Sequence, residues 1–412
     1  MLAPKTGSVA TKAYDVFVTW RHQLTDSLAS RRVWPSKKVA WNTGMRDMKQ
    51  YLGSVGVIAL CAGSAMAGGI DRSGQSIAAI FEKGNYVELS FGSISPNVAG
   101  VTTAFALGGP GNASGNMAAD YIQLGAAVKM NMTDNIDVAL IFDQPFGANV
   151  DYPTGTSYYA TGTTATLKTN AITFVGKYTL PSNVSVLAGL RYQTFSAEAS
   201  IPFVANYTAT GEKDGGVGYV VGIAYEKPEI ALRVALTYNS EIDHSLPTSE
   251  NSLLGASVGD TTLTTPQSAN LEFQSGIAKD TLLFGSIRWV DWSSFVIDPA
   301  AYPPATPLVS YNGDYTTYTL GVGRKFNDNW SGAVTLGYEK PIGGFSSNLG
   351  PTDGQRSISI GATYTKDNMK ITGGVRYVDI GDAQPTLNGT NASANFNGNH
   401  AVAIGMKVSY NF

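Results

Sequence analysis

The chain has 412 residues, and 14% of them are charged, against about 25% in an ordinary soluble domain. Its hydrophobic content of 43%, its 46 glycines and its 21 tyrosines favour strands over helices. No apolar run approaches the roughly 20 residues of a membrane-spanning helix. The net charge of −3 argues against the basic surface that a nucleic-acid partner requires.

Residues 48–67 have the pattern of a secretory signal peptide. Lys49 provides the positive start, residues 52–61 form the apolar core, and Ala65-Met66-Ala67 is an A-x-A cleavage site. A buried helix is the alternative, but small residues cluster where a signal peptidase needs them.

The segment before this signal, residues 1–47, is predicted to be an upstream extension outside the working protein, with translation starting at Met48. Cleavage after Ala67 leaves 345 residues with 19 Lys and Arg against 28 Asp and Glu, a net charge of −9. The mature chain is therefore expected to be acidic, which again excludes nucleic acid as a partner.

The rest of the chain is a succession of segments in which apolar and polar residues alternate, the period of a strand with one apolar and one polar face. Each is at least about as long as the 9–11 residues with which a tilted strand crosses a bilayer. Fourteen are predicted, at 84–95, 118–132, 135–145, 168–180, 183–199, 216–227, 229–241, 269–278, 281–296, 314–326, 329–340, 355–366, 369–380 and 399–412.

The connections between these segments alternate strictly between six short turns, such as LPSN at 180–183, and seven long links, up to the stretch 242–268. A fourteen-strand up-and-down barrel with both termini on one side has this arrangement, and outer-membrane barrels have short periplasmic turns and long outer loops. We therefore predict an all-β fold, a 14-stranded antiparallel transmembrane β-barrel over residues 84–412 behind a short N-terminal plug at 68–83.

This fold predicts a multi-pass protein of the bacterial cell outer membrane, in contact with outer-membrane lipid. The terminal Phe412 closes the last alternating strand and resembles the C-terminal signal by which such barrels are recognised. The outer-membrane assembly machinery is therefore an expected partner.

Arginines recur inside apolar, aromatic strands, as in GSIRWVDW around Arg288. Counting alternate positions along each strand places the arginines on the inward face. The energy also favours this face, because an arginine that faces lipid at mid-membrane costs about 2–4 kcal/mol. Two hypotheses remain open: the arginines pair with inward acids and fill the lumen, or some of them bind a carboxylate through paired hydrogen bonds. The candidate ligand-binding arginines are Arg191, Arg233, Arg288 and Arg376.

The sequence carries little that points to catalysis, so we expect no enzyme activity and no cofactor. The run Asp243-His244-Ser245 has hydrolase residue types, but sequence neighbours rarely meet in triad geometry. No Cys/His cluster indicates a metal site, and the Gly-rich turn at 108–111 is followed by no helix that could make it a phosphate-binding loop.

Three stretches resemble the FadL-type outer-membrane transporters of long-chain fatty acids and hydrophobic compounds, the family that includes TodX. The most characteristic is LTTPQSANLEFQSGIAKDTLLFGSIRWVDWSSF at 263–295, with AIFEKGNYVELSFGSISPNV at 79–98 and FDQPFGANVDYP at 142–153 in support. The resemblance covers roughly 77–412. It implies capture of a hydrophobic molecule at outer loops, passage into the barrel and lateral exit through a gap in the wall near the third strand.

For the lateral opening the candidate residues follow the third predicted strand, where Pro145 lacks a ladder N–H and Gly147 weakens pairing; they are Asp143, Gln144, Pro145, Phe146 and Gly147. The strand simply ending here is the alternative. Phe105 and Leu107, in the apolar first outer loop, are the candidate capture anchors. One departure from the family is the plug, which is shortened and lacks the Asn-Pro-Ala motif.

The leading prediction is a passive transporter that takes up long-chain fatty acids or similar hydrophobic small molecules. The alternative is a general diffusion porin for small polar solutes, suggested by the inward charges and the short plug. An apolar, constricted lumen favours the transporter, and an open polar lumen favours the porin.

Overall fold

The structure, a computed structural model, describes residues 70–304 and 306–412. The predicted extension 1–47 and signal peptide 48–67 lie outside the described residues. No helix in the described part of the chain is both long and apolar enough to cross a membrane. The helical elements described are short 3-10 turns at Ala78–Phe81, Pro228–Ile230 and Trp292–Ser294.

Fourteen antiparallel strands form the barrel, and each predicted segment overlaps one of them. They are β1 Tyr86–Asn97, β2 Tyr121–Thr133, β3 Ile136–Asp143, β4 Thr164–Thr179, β5 Val184–Ile201, β6 Tyr207–Lys227, β7 Leu232–Asn239, β8 Ser268–Ala278, β9 Thr281–Val290, β10 Tyr315–Lys325, β11 Trp330–Glu339, β12 Gln355–Lys366, β13 Met369–Ile380 and β14 Asn399–Asn411. β1 pairs with β2 and also with β14, so the ring closes on itself. Closure is what allows a sheet to pair its backbone groups in lipid.

The alternation of side chains gives the barrel an apolar outside and a mixed inside. In β14, for example, Ile404 and Met406 are 59% and 51% exposed on the outside, whereas Ala401 and Ala403 are buried inside. Outward aromatic residues form a belt towards the long loops (Tyr192, Trp289, Tyr377) and another towards the short turns (Tyr178, Tyr225, Trp330, Tyr410). An apolar exterior between two aromatic girdles is typical of a barrel that faces lipid.

The long link 242–268 was predicted as an outer loop, but the structure shows a β-hairpin with strands Ile242–Ser252 and Gly255–Thr265. Its first strand pairs with the outer end of β6, from Thr248↔Gly211 to Asn251↔Thr208. The strands β5 and β6 likewise continue beyond their predicted outer ends. The sheet therefore extends past the barrel on the long-loop side.

Short strand pairs tie the outer loops to one another. They are Gly100–Thr102 with Ala394–Phe396, Val296–Ile297 with Val309–Ser310, and Phe345–Ser346 with Gln384–Pro385. A further strand, Gly147–Asp151, continues the line of β3 and pairs with β4. The loops thus form a connected structure over the outer end of the lumen.

Candidate functional site

The wall between β2 and β3 is interrupted at the predicted place. Their pairing runs from Thr133↔Ile136 to Ala126↔Phe142 and stops there. The next contact along the two chains is the isolated bridge Ala118↔Val150. In between lies Pro145, which has no N–H to donate to a ladder. This interrupted stretch is called the wall gap below.

Side chains occupy the wall gap where backbone pairing is missing. The Gln144 Oε1 atom accepts the N–H of Leu124 at 2.9 Å, and its Nε2 group donates to Asn170 Oδ1 at 3.3 Å. A backbone N–H in an apolar surrounding requires such a partner. Gln144 therefore provides with its side chain a hydrogen bond that the backbone ladder would otherwise supply.

The N-terminal segment docks on the inner side of the same gap. The Gly147 N–H donates to Ile70 O at 2.9 Å and the Arg72 N–H donates to Pro145 O at 2.8 Å. Ser73 Oγ donates to Asp143 Oδ2 at 2.5 Å. The short plug thus adds its own backbone to the broken strand.

Arg72 lies at the centre of this contact. Its guanidinium carbon lies 3.9 Å from the centre of the Tyr121 ring, and its Nη2 atom donates to Asn149 Oδ1 at 2.7 Å. A Cβ atom at Gly147 would come within 2.5 Å of the Arg72 guanidinium carbon. The glycine is therefore required for the close approach of the plug to the wall.

Arg288 holds the plug from the opposite side of the lumen. Its Nε atom donates to Asp71 Oδ2 at 2.5 Å, and its two terminal nitrogens donate to Asn270 Oδ1 and Gln75 Oε1 at 2.9 and 3.1 Å. The inward orientation predicted for Arg288 is confirmed, since its side chain is 9% exposed. Its partners are residues of the plug and of β8, whereas the ligand role stays a prediction.

Arg191 is buried next to the carboxylate of Asp143. It is 2% exposed, and its nearest carboxylate, Asp143 Oδ2, lies 3.8 Å from Nη1. Its Nε and Nη1 atoms have no hydrogen-bond partner among the described residues. A buried guanidinium with unsatisfied donors is costly unless a further acceptor is supplied. Arg191 therefore has unsatisfied donors beside the wall gap, and its ligand role stays a prediction.

The other two candidate arginines also face inward but lie elsewhere. Arg376 donates from Nη2 to Ser357 Oγ at 3.0 Å. Arg233 packs its guanidinium 4.7 Å from the centre of the Phe81 ring, at the end of the barrel near the short turns. The four arginines thus have separate partners and do not form a single ring around one ligand.

A cavity of about 1310 Å³ occupies the lumen between the plug and the short turns. Ionic side chains line it, including the linked pairs Lys129–Asp137 at 2.7 Å and Lys177–Asp137 at 3.0 Å, and Lys407–Glu88 at 3.2 Å. The lining also includes the gap residues Leu124, Phe142 and Asp143. The cavity therefore reaches the inner side of the wall gap.

The outer end of the lumen is apolar and tightly packed. Loop residues Tyr152, Tyr158 and Phe396 pack against the inward Ile94 and Val378 in one cluster. A second cluster joins Phe146 of the predicted opening to Trp292, Phe195 and Val290, and the Phe146 and Trp292 rings meet edge to face at 5.5 Å. Phe146 thus links the wall gap to the apolar packing above it.

Phe105 and Leu107, the predicted capture anchors, are 61% and 58% exposed on the first outer loop. They are accessible from outside, and their role in capture stays a prediction. Sequence reasoning missed Asp71 and Arg72, although an adjacent acid and base near the start of the plug was a signal that could have drawn attention to them.

His244 lies in the outer hairpin, where its ring contacts Asp214 and Gln193. Its Nδ1 atom lies 3.2 Å from Asp214 Oδ2 and its Nε2 atom 3.2 Å from Gln193 Nε2. Burial lowers the pKa of His244 below its usual value of 6.5, against the opposing effect of the Asp214 carboxylate. In the part of the chain that the structure describes, no group of three or more His, Cys, Asp or Glu side chains could hold a metal ion.

Solved structures share the barrel fold described above. A Pseudomonas aeruginosa FadL homologue superimposes with a TM-score of 0.67 at 14% identity, over 85% of this chain and 97% of that chain. This chain has the FadL-type barrel fold. The toluene transporter TodX of Pseudomonas putida matches over 84% of this chain and 96% of its own, and the toluene transporter TbuX of Ralstonia pickettii over 85% and 97%; each has a TM-score of 0.58 at 14% identity.

The FadL-type resemblance predicted from three sequence stretches is thus confirmed at the level of the fold. No protein-family model matches the sequence, and no curated protein matches it.

Proposed function

We propose that the chain is an outer-membrane passive transporter that takes up hydrophobic compounds and releases them sideways through the wall gap. The observation that carries the proposal is the interruption of pairing between Ala126↔Phe142 and Ala118↔Val150 in an otherwise closed barrel. Two solved structures with the same fold are toluene transporters, which supports this class of substrate.

The path follows from the distribution of apolar and charged surface. Phe105 and Leu107 capture the compound outside, and the apolar clusters around Phe146 and Trp292 receive it at the outer end of the lumen. Further passage along the axis would take an apolar molecule through the ionic cavity, where it would displace water from charged groups. Exit between β2 and β3 into lipid avoids this cost.

The substrate is proposed to carry a carboxylate, as a long-chain fatty acid does. Arg191 has unsatisfied donors next to the wall gap and can bind two carboxylate oxygens at once. A bound carboxylate would compete with Asp143 for Arg191, and the same Asp143 Oδ2 atom accepts the hydroxyl of Ser73 in the plug. The proposed binding site therefore lies directly beside a contact between the plug and the wall.

The alternative function, a general diffusion porin, requires an open polar path along the whole axis. The ionic cavity favours it, but the apolar clusters and the plug occupy the outer part of the lumen. We therefore keep the transporter as the proposal.

The test is uptake of labelled oleate and labelled toluene by cells that lack their own channels for these compounds, with and without the protein expressed from Met48. We expect saturable uptake of at least one compound and no gain in permeability to arabinose. Absence of uptake of both, with the barrel folded in the outer membrane, would refute the proposal. A gain in arabinose permeability alone would establish the porin instead.

A further inference from the structure

The outer hairpin Ile242–Ser252/Gly255–Thr265 ends in an exposed apolar tip. Leu253, Leu254 and Val258 are 75%, 78% and 84% exposed, and the sequence from 251 to 259 contains no charged residue. These three side chains are called the hairpin tip below. Within the described residues, these apolar side chains at the far end of a projecting hairpin are left largely uncovered.

The residues of this turn contradict the usual chemistry of two-residue hairpin loops. Ser252 pairs with Gly255, so Leu253 and Leu254 occupy the two central positions. Asn, Asp and Gly are preferred there because they fit the turn geometry and are well solvated. Two leucines are favourable neither for the turn nor for solubility. Departures of this kind from local rules are typical of functional positions.

The hairpin tip is held in place by the surrounding loops. The Leu253 N–H donates to Ala205 O at 2.8 Å. The buried Glu250 accepts the Tyr207 hydroxyl at 2.6 Å and the Ala301 N–H at 3.0 Å. The leucines are therefore presented outward on a fixed support.

The position along β6 places the hairpin tip outside the outer aromatic girdle. Tyr192 of that girdle pairs with Val217, whereas Asn251, next to the tip, pairs with Thr208. Nine residues of strand separate Thr208 from Val217, or about 30 Å along the strand at about 3.3 Å per residue. The tip thus faces the medium outside the membrane.

We propose that the hairpin tip is a docking site for an external uncharged lipid phase, such as an oil droplet or a neutral vesicle. Three side chains supply only a fraction of the roughly 800 Å² that each partner buries in a specific protein interface. A fluid apolar phase needs no shape complementarity and can surround any protruding leucine. The absence of charge at the tip selects an uncharged surface over an anionic one.

The full chain is held in lipid nanodiscs and mixed with triolein droplets that are coated with phosphatidylcholine. Attachment is measured as the fraction of protein that floats with the droplets, and empty nanodiscs give the background. We expect wild-type protein to float with the droplets. The variant L253S/L254S/V258S should attach at least about tenfold more weakly, because each tip side chain contributes apolar burial. The variant L253I/L254I should retain attachment, which separates loss of apolarity from misfolding.

The matched control is F105S/L107S, which removes another exposed apolar pair of the outer loops. It should keep droplet attachment and lose uptake of dissolved substrate, whereas the tip variant should keep uptake and lose attachment.

Equal attachment of wild type and tip variant would overturn the proposal, and so would attachment that depends on Phe105 and Leu107. Cross-linking of two copies through the tip without droplets would also overturn it and identify a second chain as the partner. Flotation is independent of uptake, so failure of the proposed transport would be seen separately.

Discussion

Two parts of the barrel wall differ in the hydrogen-bond partners of their backbone N–H and C=O groups. Between β13 and β14, pairing runs unbroken over twelve residues from Met369↔Tyr410 to Ile380↔Asn399. Between β2 and β3 it ends at Ala126↔Phe142, and the remaining polar groups bond to side chains and to the N-terminal segment. A backbone ladder can open only by unfolding a strand, whereas a side chain or a docked segment can leave. We therefore expect the barrel to open at the wall gap at a lower cost than elsewhere.

The largest effect is expected from Asp71→Ala, which removes the carboxylate that pairs with the buried Arg288. Breaking a buried ion pair destabilises by about 3–5 kcal/mol, which corresponds to at least about a hundredfold in the opening equilibrium. Amide hydrogen exchange at Arg72 and Gly147 should accelerate by that factor, while exchange in β13 and β14 remains unchanged. Equal acceleration in both walls would mean that the variant destabilises the whole barrel and would contradict a local role.

A smaller effect is expected from Arg191→Ala, beside the wall gap. Loss of a hydrogen-bonded charge partner costs about 1.5–3 kcal/mol, so oleate uptake should fall by about tenfold or more. Toluene has no carboxylate, and its uptake should persist. The matched variant Arg376→Ala changes an arginine of the intact wall and should reduce oleate uptake less. Equal losses for oleate and toluene would rule out carboxylate recognition by Arg191.

The smallest effect is expected at His244, in the outer hairpin, where its imidazole contacts Gln193 and Asp214. Because its folded-state pKa is below 6.5, unfolding of the hairpin binds a proton at mildly acidic pH. Hairpin stability should be complete above pH 6.5 and should decrease as the pH falls below it. Protection of the amides of residues 244–250 from exchange, corrected for intrinsic rates, should be lower at pH 5.5 than at pH 7.5.

In the variant His244→Gln the difference between the two pH values should disappear, because no titrating imidazole remains. A wild-type hairpin that gains protection towards low pH would contradict the sign of this shift. Uptake and the exchange of both walls should not change with the substitution.

The strands could be predicted from sequence because burial in lipid imposes strict alternation. In β14 every second residue from Val402 to Tyr410 is apolar, and the same period marks the other thirteen strands. The wall gap was predictable for a local reason as well, since Pro145 lacks the N–H that a ladder needs.

The outer hairpin escaped prediction because its turn contains Leu253 and Leu254 where turn-forming residues are expected. The contacts of the plug could not be predicted from the sequence for a different reason. Asp71 and Arg288 are separated by 217 positions, and alternation says which face a residue occupies but not which residue lies across the lumen. Only the closed structure brings the two together.

The most direct test of the account is to fasten the wall gap shut. The only cysteine in the sequence is Cys61, so Leu124→Cys with Gln144→Cys introduces a pair that a cleavable bifunctional thiol reagent can join. The control pair Val375→Cys with Ile404→Cys consists of outward register partners in the intact wall. Lateral exit predicts that joining the first pair lowers uptake to the level of cells without the protein, that cleaving the reagent restores it, and that joining the control pair changes nothing. Undiminished uptake through a barrel joined at Leu124 and Gln144 would contradict the account.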